Sequence, residues 1–145
     1  MKKSASLCED LAAAVNRLEQ ALALPKDDIV RDSAIQRFEI SFELCRKFLK
    51  AHLEEEHNAS CSSPRSCFRA AFRNGVLDNE PFWIDLTVLW NYTVHTYSEP
   101  LADYVYARLP EAAQRFRTVL AAITWTGSPL PQRRENVVAV GTYRQ

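Results

Sequence analysis

The chain has 145 residues, 47% of them hydrophobic, with 18 basic and 18 acidic side chains. That length predicts a single domain with a core large enough to fold without metal or disulfide support. A formal charge of zero argues against a protein whose main task is to coat nucleic acid, because such domains carry a basic excess.

With 3 glycines and 7 prolines, punctuation is sparse. Apolar residues recur at helical spacing, so the expected class is all-α. Leu7, Leu11, Val15, Leu18 and Leu22 form one stripe of a helix over residues 6–24, which Pro25 closes. A long second helix covers residues 28–56, where Asp27 and Asp28 suit the positive end of the helix dipole. Val30, Ala34, Phe38, Phe42, Cys45 and Leu49 mark its stripe, and Ile35, Ile40, Leu44 and Phe48 widen it. A helix this broadly apolar packs on more than one neighbour. Glu54, Glu55 and Glu56 are expected to be its solvated end.

After a polar loop, Ser63-Pro64 opens a short third helix over residues 64–74, and Gly75 ends it. Cys67, Phe68, Ala71 and Phe72 lie on one side, and Arg65, Arg69 and Arg73, at steps of four, lie on another. Asn79 caps a fourth helix over residues 80–97. Trp83, Leu86, Trp90, Val94 and Tyr97 make one stripe; Ile84, Val88, Asn91 and His95 make a second. That pattern predicts enclosure on several sides, with partners for the polar residues. Ser98-Glu99-Pro100 breaks the chain before a fifth helix over residues 100–124, in which Pro110 predicts a kink or short interruption. From residue 126 helical periodicity stops. The expected layout is a bundle over 1–125 and a tail over 126–145 that is either disordered or carries a short strand at 137–140. The expected fold is an antiparallel four-helix up-and-down bundle with one short extra helix.

The cysteines, at 8, 45, 61 and 67, make no Cys-x-x-Cys pair and no zinc-spaced cluster with histidine. No apolar run is long enough to span a membrane, and the N-terminus lacks the apolar region of a signal peptide. The expectation is a reduced, cytoplasmic protein, with Cys45 in the core and no metal or cofactor.

Candidate chemistry gathers late in the fourth helix. Asn91 and His95, four apart, share a face. An amide there can orient an imidazole that acts as acid or base near neutral pH. The bland alternative is a buried polar pair that satisfies itself. Tyr97 offers a hydroxyl near the helix end, or packs as an ordinary amphipathic tyrosine. Arg65, Arg69 and Arg73 match the geometry of phosphate, or form a solvated face. No glycine-rich phosphate loop is present.

Three segments carry a family resemblance. Ile35-Gln36-Arg37-Phe38-Glu39-Ile40-Ser41-Phe42-Glu43-Leu44 resembles the long-helix signature of the small helical partners of minimal nucleotidyltransferases. Ser63-Pro64-Arg65 with Phe68-Arg69-Ala70-Ala71-Phe72 resembles their third helix, and Asn91-x-Thr93-x-His95-Thr96-Tyr97 their most diagnostic segment. The resemblance covers roughly residues 5–124. It implies a nucleotidyltransferase substrate-binding subunit of the wider HEPN group: a helical bundle that forms homodimers and pairs with a separately encoded minimal nucleotidyltransferase.

Many HEPN proteins are metal-independent ribonuclease toxins, with an arginine, four to six residues, then a histidine, often followed two residues later by a tyrosine. In such toxin–antitoxin pairs the partner silences the toxin by AMPylation of that tyrosine. By position, His95 matches the histidine, Tyr97 the modified tyrosine, and Asn91 the polar residue after the arginine. The arginine's own place is taken by Trp90, which cannot supply the fixed cation that stabilises charge on a phosphoryl group. The resemblance therefore implies first a binding and partner subunit, and alternatively a ribonuclease toxin using His95 and Asn91, with RNA held by Arg65, Arg69 and Arg73. A third alternative is a dimerisation module in which Asn91, His95 and Tyr97 only pack.

Overall fold

The structure, a computed structural model, describes residues 2–127, with side chains described as far as Ile123. The expected strand at 137–140 and nearly all of the tail lie outside the described residues. The described residues form helices α1 (Lys3–Leu22), α2 (Asp28–Glu56), α3 (Pro64–Arg73), α4 (Glu80–Tyr92) and α5 (Glu99–Gly127), with a 3-10 turn at Thr93–His95. The fold is the expected all-α bundle. Helices α1, α2, α4 and α5 are its staves, and α3 is the short extra helix.

Helix α2 is the central stave and packs against α1, α3 and α5. Asp27 accepts a hydrogen bond from the Val30 N–H at its start, as a capping aspartate should. Phe38, Phe42, Phe48 and Leu49 on α2 are buried with Phe68, Trp83 and Phe116 from its neighbours. The rings pack at angles, with centroids of Phe42 and Phe68 5.6 Å apart and those of Phe68 and Trp83 5.2 Å apart. Such pairs add to the free energy of burial. Cys45 is fully buried, as its place on the apolar stripe implies, and burial pushes its thiol pKa up.

Several expectations need correction. The acidic end of α2 is not merely solvated. The Ser4 N–H and hydroxyl both donate to the Glu55 carboxylate, and Lys2 pairs with Glu56 at 2.7 Å. These bonds satisfy donors that a helix start otherwise leaves open, and α1 accordingly begins earlier than its apolar stripe indicates. Of the kink or interruption expected at Pro110, the interruption does not occur: α5 continues through that residue, which lies at the exposed surface. The fourth helix stops at Tyr92, not near residue 97. Finally, Cys61 and Cys67 are joined as a disulfide, against the expectation of reduced cysteines throughout. Among the described residues no helix is long and apolar enough to cross a membrane.

The start of α5 is fastened to α2 by Arg31. Its side chain is only 4% exposed, and its guanidinium donates to Glu99 at 2.7 Å, Asp32 at 3.0 Å and Asp103 at 3.1 Å. Lys26 reaches the same Asp103 at 2.9 Å. Hydrogen bonds to Glu99 and then Asp32 raise the Arg31 pKa above its ordinary value. A planar fork with several donors serves three carboxylates in a way that one ammonium cannot. Replacing Arg31 by alanine removes these bonds and opens a void, and is expected to cost about 2 kcal/mol in urea denaturation. Arg31→Lys should recover only part of that loss.

At the other end, His52 is half-buried with its ring 5.5 Å from that of His57. Burial, and then His57, lower its pKa below the ordinary histidine value. The unfolded chain therefore binds a proton there at a higher pH than the folded one. Stability is fully present above about pH 6.5 and is lost as pH falls through the folded pKa. His52→Gln should flatten the acid-side fall in denaturation midpoint measured from about pH 7 to about pH 5.

Candidate functional site

The segment from Trp90 to Glu99 is where the helical pattern fails. The Thr93 hydroxyl donates to the Trp90 carbonyl at 2.6 Å, and the Thr93 N–H turns to the same oxygen. The Thr96 hydroxyl donates to the Thr93 carbonyl at 3.0 Å, and the Ser98 N–H to the His95 carbonyl at 3.1 Å. All span three residues, so the coil tightens from α to 3-10 and then turns. The Ala102 N–H bonds back to the Ser98 carbonyl at 2.8 Å and starts α5.

The result is a knuckle between α4 and α5. Trp90 and Thr93 face inward. The indole of Trp90 stacks on Phe42 of α2, with centroids 4.9 Å apart and planes 16° from parallel. Asn91, His95 and Tyr97 are exposed, Tyr97 to 85%, and Val94 to 69%. The sequence pattern placed Val94 and Tyr97 on a packing stripe. The tightened turn rotates both into solvent. Within the chain neither His95 nor Tyr97 is packed away. The His95 ring meets that of Tyr97 edge to face at 6.1 Å. Among the described residues, the Asn91 amide, the His95 imidazole and the Tyr97 hydroxyl hold no internal hydrogen bond.

Arg65, Arg69 and Arg73 are exposed along α3. Arg69 lies 4.0 Å from Glu80, the first residue of α4. Asn91 is about 16 Å further along α4 by helical rise. None of the three arginines bonds Asn91, His95 or Tyr97, so within one chain no arginine of this stripe is hydrogen-bonded or ion-paired at the knuckle.

Sequence reasoning passed over another arginine. A cleft of about 420 Å³ runs between α4 and α5, lined by Phe82, Asp85, Tyr92, Tyr104, Arg108 and Glu111 among others. The Arg108 guanidinium lies 3.6 Å over the Tyr104 ring, and Tyr92 meets Tyr104 edge to face at 6.1 Å. The four-residue step from Tyr104 to Arg108 was the available signal. Among the described residues no group of three or more His, Cys, Asp or Glu is arranged to hold a metal ion.

A helical bundle that lifts a histidine and a tyrosine onto an exposed turn between its last two staves defines a small helical binding or effector module. Comparison with known proteins identifies the family. Residues 7–123 match the model of the family described as nucleotidyltransferase substrate binding protein like, and the chain belongs to that family. A Haemophilus influenzae protein named as a probable ribonuclease HepT is 29% identical over 117 residues, covering 70% of this chain and 80% of that one. A Thermus thermophilus crystal structure superposes with a TM-score of 0.73 at 34% identity, covering 76% of this chain and 95% of that one. A Haemophilus influenzae structure, described as having the fold of a substrate binding domain of a nucleotidyltransferase, gives a TM-score of 0.69 at 26% identity, with 78% and 96% covered.

The geometry separates presentation from packing. His95→Ala and Tyr97→Phe are expected to leave stability within about 0.5 kcal/mol of the wild type, as exposed positions do. Trp90→Ala, which strips the ring from Phe42, should cost about 2 kcal/mol. Urea denaturation of the three variants checks the division.

Proposed function

We propose that this chain is the helical substrate-binding and partner subunit of a separately encoded minimal nucleotidyltransferase, of the HEPN toxin–antitoxin type. It works in the cytoplasm as a homodimer. The observation that carries the reading is the knuckle itself. His95 and Tyr97 stand in solvent, while Trp90, at the place of the motif arginine, is turned inward onto Phe42. The arrangement favours presentation of a side chain to another protein over cleavage, which needs a cation at the phosphoryl group.

Tyr97 is the side chain presented. Its phenolic oxygen attacks the α-phosphorus of ATP held by the partner. Pyrophosphate leaves, the phenolic proton is lost, and AMP remains on the tyrosine. At 85% exposure the hydroxyl needs no unfolding to enter another protein's active site. Tyr92, Val94, Tyr97 and Tyr104 are all exposed, and such an apolar surface suits a second copy or a partner. Arg65, Arg69 and Arg73 remain the candidate contacts for phosphate or RNA, being solvated and largely without carboxylate partners.

A second reading has specific support. The likeness to a probable ribonuclease and the exposed His95 fit a ribonuclease toxin in which His95, oriented by Asn91, is the acid or base, and AMPylation of Tyr97 silences it.

The test is co-expression with the nucleotidyltransferase encoded beside it. The expected outcome is a co-purifying complex and an AMP-mass adduct on Tyr97, absent from Tyr97→Phe. No complex and no adduct would overturn the first reading. Expression of the chain alone tests the second: growth arrest that His95→Ala abolishes supports it, and harmless expression with intact RNA ends it.

A further inference from the structure

The disulfide straddles the start of α3. Cys61 lies in the loop that follows α2 and is half-buried. Cys67, six positions on, has no exposed surface, and its N–H closes the first turn of α3 on the Ser63 carbonyl at 2.9 Å. Between the two lie Ser63, whose hydroxyl accepts from the Ser66 N–H to cap the helix, and exposed Arg65.

The loop does not hang on this bond alone. The N–H groups of Ser62 and Ser63 donate to the Ser66 hydroxyl at 3.1 and 2.9 Å. Lys50 donates from α2 to the Cys61 carbonyl at 3.0 Å. These contacts bring the loop to the start of α3 by routes that do not run through the sulfurs. A half-buried cysteine beside a fully enclosed one, in a loop with anchors of its own, suits a reversible thiol–disulfide pair.

We propose that Cys61 and Cys67 form a reversible redox clasp on α3. Oxidised, it locks the first turn and the arginine enclosed by the bond, Arg65. Reduced, it lets that turn fray. The oxidant is a low-molecular-weight disulfide. The thiolate of Cys61, the less buried of the two cysteines, attacks one sulfur of that disulfide and expels the other half as a thiolate. The Cys67 thiolate then attacks the Cys61 sulfur and expels the second half. Two electrons pass from the protein sulfurs to the small disulfide, and its two products carry away the two protons. A dithiol reverses both steps.

The clasp acts where α3 is weakest. The helix has ten residues, and its first turn is held by the Ser63–Ser66 capping pair. A helix this short owes its order to what it is fastened to. Closing a loop of six residues across that turn removes the frayed states in which the Arg65 backbone becomes accessible. The first arginine of the exposed stripe thus changes from loosely to firmly placed, while Arg69 and Arg73, further along the helix, are little affected.

The full chain is equilibrated with a glutathione-type disulfide or with a dithiol. One portion is alkylated in denaturant and its peptides mapped; another is treated briefly with trypsin under native conditions. After the disulfide, Cys61 and Cys67 should escape alkylation and their peptides should be linked, lighter by two hydrogens than the reduced pair. After the dithiol both should be alkylated, and native cleavage following Arg65 should run about tenfold faster, with cleavage following Arg108 unchanged. Cys61→Ser, a substitution at a half-buried loop position, should cleave at the fast rate under either treatment. Alkylation of Cys61 and Cys67 after disulfide treatment overturns the clasp. So does an equal rate at Arg65 in the two wild-type states, or a rate in Cys61→Ser that still follows the treatment.

Discussion

Helix α2 grips the knuckle at both ends, and the candidate site depends on that double hold. Before the turn, Phe42 takes the face of Trp90. After it, Arg31 takes Glu99 and Asp103. The two anchors are eleven residues apart on one helix, a rise of about 16 Å. The chain between Trp90 and Glu99 must bridge them, and it does so by tightening into a 3-10 turn and bulging outward. The exposure of His95 and Tyr97 is a consequence of where their neighbours are tied.

The two anchors differ in kind. The stack of Trp90 on Phe42 is apolar and insensitive to salt, and it extends the ring cluster of the core. The Arg31 network is ionic, with a nearly enclosed cation and carboxylates that remain partly in water. A buried guanidinium without partners is costly, so its retention depends on Glu99, Asp103 and Asp32 being in reach. The network therefore fixes the register of α5 against α2, where an apolar contact would tolerate sliding. A site built of exposed side chains on a short turn needs such a fixed frame, because nothing within the turn beyond backbone and threonine hydroxyl bonds holds it.

Helix identities were legible wherever local chemistry agreed with the apolar pattern. Asp27 before α2, Ser63-Pro64 before α3, Asn79 before α4 and Gly75 after α3 all act as their residue types suggest. Gly75, at φ 75°, adopts the left-handed conformation that suits glycine at a helix end. What escaped was long-range or a contest between local terms. Ser4 with Glu55, and Arg31 with Glu99, are pairs 51 and 68 residues apart, which no periodicity reveals. The end of α4 was misread because Val94 and Tyr97 continue the stripe on paper, while the Thr93 and Thr96 hydroxyls bond three residues back and end it in space. The disulfide escaped because a six-residue spacing matches no metal or redox motif. At the candidate site the exposure of His95 and Tyr97 was not legible, because both sit in a helix pattern that predicts enclosure.

Trp90 is the residue on which the chemistry turns. Its ring lies flat on Phe42, with no charge to project. Trp90 gives this position apolar contact at the boundary between core and site. It stabilises the frame beside His95 and offers no charge to balance a phosphoryl oxygen. Arg108, on the neighbouring helix, is already committed to the face of Tyr104 and does not bond His95. A knuckle of this composition keeps what recognition and modification need, an exposed imidazole and an exposed phenol on a rigid mount. Among the described residues no cation is bonded at the turn, and this favours the proposed presentation of Tyr97 to a partner over cleavage by His95.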